Sequence, residues 1–142
     1  MPLTNFGSIL NFAEDVEKLN HGFYETAALN PECADYKDTF TELGAATGKN
    51  IKIVQRSRRE NVTEMILEPI KDFVRTPFMD ECDGVDTMSS TESLEKAQRL
   101  EEKAFNYYTV ASGKIKALPE VSRVCKALAK KHKAHLAKLE EL

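Results

Sequence analysis

The chain has 142 residues, 42% of them hydrophobic and 30% charged, with a formal net charge of −3. A chain of this size and balance is expected to fold as one globular domain, residues 1–142, with a sizeable core. The mild acidity removes the electrostatic case for a nucleic-acid binder as a whole, and no apolar run approaches the roughly 20 residues that cross a bilayer. The opening "MPLTNFGSILNFAEDVEKL" has no basic region before its apolar residues, so no signal peptide is expected. Cys33, Cys82 and Cys125 are odd in number and far apart, with no C-x-x-C pair. That argues against a disulfide framework, a structural zinc site or an iron–sulfur cluster, and makes a reducing cytoplasm the expected compartment.

Turn signals divide the chain into four stretches with apolar residues at helical spacing. The first covers about residues 5–29 and is stopped by Asn30-Pro31. The second covers about 37–74, with "TFTE" (Thr39 to Glu42) spaced as a capping box near its start. Gly44, Gly48 and Pro69 leave its continuity open. "NIKIVQ" (Asn50 to Gln55) is the one weak strand candidate, and the polar segment Thr76–Ser90 reads as a connection. The third helix covers about 91–116, and the fourth about 119–141, with Pro119 suited to a first helical position. The expected fold class is all-α: an up-down four-helix bundle of two hairpins joined by a long crossover, the ferritin-like arrangement.

The seams of these helices carry ionisable residues. On helix 4, alternating steps of three and four give Val121, Val124, Leu128, His132, His135, Leu139 and Leu142. Both histidines fall among five aliphatic residues, while Lys126, Lys130, Lys131, Lys133 and Lys138 fall off the seam. Helix 3 gives Leu94, Ala97, Glu101, Ala104, Tyr108, Ala111 and Ile115. Helix 1 gives Leu10, Ala13, Glu17, His21 or Asn20, Tyr24 and Ala28. A carboxylate in a bundle core is costly unless it is paired or binds a metal. Glu17, Glu101, His132 and His135 also fall within about one turn of the same depth when counted from the turns. They are the candidate metal ligands, two oxygen and two nitrogen donors for one Fe(II), Mn(II) or Zn(II). The competing reading is a core of histidines simply hydrogen-bonded to buried carboxylates. Tyr24 and Tyr108 are expected as core aromatics whose hydroxyls cap this layer.

The chain also repeats itself. "VEKLNHGFYETAA" (Val16 to Ala28) aligns without gaps on "LEEKAFNYYTVAS" (Leu100 to Ser112), placing Glu17 over Glu101 and Tyr24 over Tyr108. With one residue added, Thr47 and Asn50 fall over His132 and His135. Tandem hairpins with Glu-x6-Tyr on the first helix of each resemble the ferritin-like superfamily, in particular its rubrerythrin-like members. The family pattern adds Glu-x-x-His on helices 2 and 4. On helix 4 its Glu is replaced by His132 and its His retained as His135; on helix 2 Thr47 and Asn50 stand in both places. Glu60 and Glu64 are not substitutes, since Glu64 lies about 25 Å further along a continuous helix than Thr47. The rubredoxin domain that often accompanies this family, with two C-x-x-C pairs, has no counterpart here.

The resemblance implies one metal ion per chain, iron favoured and manganese or zinc possible, because the bridging carboxylates of a full di-iron centre are missing. His21, one turn beyond Glu17, is a possible fifth donor or supporting hydrogen bond. The implied function is an iron-linked protein of oxidative-stress or iron handling. If it is an enzyme, it is an oxidoreductase of peroxidase or ferroxidase type acting on peroxide or oxygen. A homodimer and an external electron donor are expected by resemblance. The alternative is a non-catalytic ferritin-like scaffold or interaction module that has lost its metal site. The lysines of helix 4 and "RSRRE" (Arg56 to Glu60) read as a solvated face, since Glu120, Glu140 and Glu141 accompany them. Cys82, among Asp80, Glu81 and Asp83, does not read as a reactive thiol, and "DECDGVD" (Asp80 to Asp86) lacks the spacing of a calcium loop.

Overall fold

In the computed structural model, residues 6–60, 78, 84–115 and 118–142 are described. Four helices account for most of them: α1 (Phe6–Leu29), α2 (Lys37–Glu60), α3 (Ser90–Lys114) and α4 (Pro119–Glu140). Regular structure among the described residues is entirely helical, so the all-α four-helix reading holds and "NIKIVQ" lies inside α2. The expected extension of the second helix, 61–74, lies outside the described residues, as does most of the connection 76–90.

Helix ends follow local chemistry, with one correction. Thr39 does not cap α2, because the helix begins at Lys37 and continues from a 3-10 turn, Pro31–Tyr36. The cap belongs to Asn30, whose side chain accepts from the Glu32 amide at 3.0 Å ahead of Pro31. A capping exchange does occur at α3: Ser89 Oγ accepts from the Glu92 amide at 3.1 Å and donates to the Glu92 carboxylate at 3.1 Å. Pro119 opens α4 as its spacing predicts.

The hairpins are antiparallel. Glu14 meets Gln55 and Arg58, Glu17 meets Asn50, and His21 meets Gly44; across the other pair, Ser122 meets Ser112 and His132 meets Glu101. Gly44 does not break α2. It faces α1 at close range, and a Cβ there would stand 3.3 Å from Tyr24 Cβ. At the α1–α2 turn, Asn30 Nδ2 donates to the carbonyls of Val85 (3.0 Å) and Met88 (2.8 Å). The start of α3 is thereby tied to the end at which α2 starts, so α2 and α3 run in the same direction and α1 and α3 run oppositely. The chain leaves α2 at one end of the bundle and joins α3 at the other.

Two apolar clusters fill the interior. One gathers Ile9, Phe12, Tyr107, Ile115, Val121 and Leu128, and the other Phe23, Tyr24, Phe40, Leu43, Leu100 and Leu139. Between them lies a layer of buried polar groups: Glu17, Thr47, Asn50, Glu101 and His132.

Candidate metal centre

Each helix sends a side chain into this layer. Glu17 comes from α1, Asn50 from α2, Glu101 from α3, and His132 with His135 from α4. Glu17, Glu101 and His132 are 0% exposed, and the His135 side chain is 13% exposed.

His132 lies between the two carboxylates. Its Nδ1 is 2.6 Å from Glu101 Oε2 and its Nε2 2.7 Å from Glu17 Oε2. With acceptors on both nitrogens, the ring is held as an imidazolium donating both ways. Burial works against that charge, but the flanking Glu17 and Glu101 carboxylates overcome it and push the imidazole up to about 10. Burial likewise opposes the Glu101 anion; the adjacent His132, with His135 behind it, outweighs burial and takes the carboxyl down to about 2.

The tyrosines complete the carboxylate shells crosswise. Tyr24 of α1 donates to Glu101 Oε1 of α3 at 2.7 Å, and Tyr108 of α3 donates to Glu17 Oε2 of α1 at 2.6 Å. The exchange follows from direction: in an antiparallel pair, a residue two turns beyond its own glutamate stands level with the glutamate of the other helix. Burial, and then the neighbouring carboxylate, hold both phenols well above their usual range, so they act as donors only. Tyr108 also stacks on His132, with centroids 5.6 Å apart and planes at 13°.

The positions aligned with lost ligands behave differently. Thr47 turns back to its own helix, donating toward the carbonyls of Leu43 and Gly44, whereas Asn50 Nδ2 reaches Glu17 Oε1 at 3.3 Å. His21 stands outside the candidate ligand group, its nitrogens 2.8 Å from the Gly44 carbonyl and 2.6 Å from Glu25. Asn50 as a partner of Glu17 was not legible as such, because an asparagine on a helix seam carries no signal of what it will meet. The free Cys33 and Cys125 are buried, and burial pushes the Cys125 thiol up to about 12.

Glu101, His132 and His135 can each bring one donor atom within 4.8 Å of the others, so this group could hold a metal ion. His135 Nδ1 is 3.4 Å from Glu101 Oε2, lacks hydrogen-bonding geometry to it, and is buried without another hydrogen-bond partner. Two ligands at about 2.1 Å from one tetrahedral ion stand about 3.4 Å apart. The trio therefore fits an ion after small shifts, provided that the proton between His132 and Glu101 leaves. Glu17 joins the same layer from the other side of the His132 ring and is not one of the three. No family model, curated protein or solved structure matches this chain. No helix among the described residues is long and apolar enough to cross a membrane.

Proposed function

We propose that this protein is a metal-binding four-helix bundle that takes one divalent ion between Glu101, His132 and His135. The observation that carries the reading is the buried Nδ1 of His135, which makes no hydrogen bond although it stands 3.4 Å from the Glu101 carboxylate and beside a second imidazole. Charge favours it too. Two carboxylates and one imidazolium leave the layer at −1 in a dry interior, whereas two carboxylates and a divalent cation sum to zero.

The residues divide the work. With Glu17 accepting from Nε2 of His132, the nitrogen left for an ion is Nδ1, and the carboxylate fixes the ring's tautomer and tilt. Tyr24 orients Glu101 through its other oxygen, and Tyr108 covers the ring face and excludes water. Two histidines and one carboxylate are a donor set used by both Fe(II) and Zn(II) sites. Iron is the ion we favour, on the resemblance to rubrerythrin-like proteins; when bound it supplies one-electron chemistry toward peroxide or oxygen.

Elemental analysis after anaerobic loading with Fe(II) tests the reading, with His135→Ala beside the wild type. About one equivalent of iron, lost in the variant, supports it, and peroxide turnover is then the activity to assay. Absence of any metal in the wild type refutes it. The short bonds from His132 to both glutamates favour a second reading in that event: a proton holds the core together, and the bundle is a non-catalytic scaffold.

A further inference from the structure

One side of the bundle concentrates positive charge. Helices α2 and α4 pack side by side and run oppositely: Glu42 pairs with Lys138 near one end, and Ile53 shares a cleft with Val124 nearer the other. α2 has no acid between Glu42 and Glu60, and α4 has none between Glu120 and Glu140. The glutamates that accompany the α4 lysines in the sequence therefore stand at the ends of that helix, leaving about 25 Å of each helix without a carboxylate.

Within those spans Arg56 pairs with Glu60, Arg58 with Glu14, Arg123 with Glu120 and Lys138 with Glu42. Lys49, Lys52, Lys130 and Lys131 are exposed and form no ion pair among the described residues. Lys49 lies seven residues beyond Glu42, and Lys131 seven before Lys138, so the two stand level across the α2–α4 seam. Lys52 and Lys130 are next to them on the exposed sides of the same helices. The connection from α2 to α3, where it is described at Phe78, lies on the opposite side: its ring is 5.4 Å from that of Tyr107, which bonds the Ile9 carbonyl of α1. α1 carries four acids against one lysine, so the positive charge belongs to the α2–α4 side and not to the bundle surface at large.

We propose that the α2–α4 face docks an acidic segment of a partner protein, with Lys49, Lys52, Lys130 and Lys131 as its contacts. The proposal stands apart from the metal reading, since none of the four is a candidate ligand. Carboxylates supply the complementary charge, and unpaired lysines steer them into place. Other polyanions fit less well. Neither span contains an aromatic residue on which a nucleic-acid base could stack. The exposed large hydrophobics among the described residues, Leu29, Val110 and Leu142, lie outside both spans, so none is placed to enter a bilayer. The net charge of −3 also repels a long polyanion that reaches past the face, whereas a short acidic segment meets only the lysines.

A fluorescein-labelled oligoglutamate peptide, followed by fluorescence anisotropy against the full chain, provides the test. It should bind wild type at low ionic strength and be released as salt rises. Lys49→Gln/Lys131→Gln should weaken binding about fivefold, whereas Lys18→Gln/Lys37→Gln, which removes the same charge from exposed positions outside both spans, should change it by less than about twofold. All four positions are exposed, so both variants keep the fold. Equal weakening in both variants overturns the proposal, as does a wild type that leaves the peptide free. A labelled DNA duplex or an anionic lipid vesicle that binds more tightly than the peptide, and loses that binding in Lys49→Gln/Lys131→Gln, also overturns it and assigns the face to phosphate.

Discussion

His132 concentrates the energetics of the core in one ring. It supplies a donor to each of two buried carboxylates, so His132→Ala leaves two anions facing an emptied space. Removing one partner of a buried pair costs about 3–5 kcal/mol, and urea unfolding of the metal-free protein should show a loss of that size. A loss below about 1 kcal/mol would mean that the ring does not stabilise the fold. Tyr108→Phe deletes a single hydrogen bond to a carboxylate and should cost less, about 1.5–3 kcal/mol. The pH dependence has a definite sign. The His132 imidazole is raised from 6.5 to about 10, so its stabilisation is complete below 6.5 and is lost as pH rises through 10. Glu101 is lowered from 4.5 to about 2, so its contribution is present above 4.5 and is lost as pH falls through 2. Metal-free protein should therefore be most stable between pH 4.5 and 6.5 as far as this pair is concerned, and His132→Gln should flatten the alkaline limb.

At the scale of the helix, the glycines separate two causes of helix spacing. Gly22 and Gly113 sit in α1 and α3 with nothing within 4 Å of an added Cβ. Alanine at either should raise stability by about 0.5–1 kcal/mol through propensity alone. Gly44→Ala gains the same propensity but sets its Cβ against Tyr24 Cβ, which hangs from the α1 backbone, so α1 and α2 must separate. Thermal melts should show Gly22→Ala and Gly113→Ala above wild type and Gly44→Ala below it. Equal gains at all three would mean that the α1–α2 approach is loose. The α1–α2 hairpin is also fastened at its surface. Glu14 of α1 binds Gln55 and Arg58 of α2, with Lys18 beside it, and these contacts draw its carboxyl down to about 2.

For the molecule as a whole, the central question is whether a proton or a metal fills the space between the carboxylates. A divalent ion bound only by the folded state at a free concentration 100 times its dissociation constant adds about 2.7 kcal/mol. For a chain of this length that corresponds to a rise in Tm on the order of 5–10 °C. Because the His132 proton must leave as the ion binds, apparent affinity should strengthen with pH between 6 and 9 by up to about tenfold per unit. Isothermal titration in buffers of different ionisation enthalpy would count the released proton. Binding with no proton release would show that the ion avoids His132.

Much of the bundle is legible in the sequence alone. The spacing of apolar residues set four helices and their inner faces, and the internal repeat paired Glu17 with Glu101 and Tyr24 with Tyr108. The inward direction of His132 followed from the same count, because a helical period of 3.6 assigns every residue to a face. Helix starts were read less well: Asn30 and Ser89 do the capping, and a Thr-x-x-Glu pattern inside α2 imitated a cap that the preceding 3-10 turn made unnecessary. What one helix cannot specify is what its seam meets on another. The crossed Tyr–Glu bonds depend on α1 and α3 running oppositely, which Asn30 secures by holding the start of α3 against the α1–α2 turn. The division of four similar candidates into a convergent trio and a supporting Glu17 was likewise a tertiary decision. Helical periodicity places a side chain on a face, but the packing of three other helices determines which of its atoms finds a hydrogen bond and which, like His135 Nδ1, makes none.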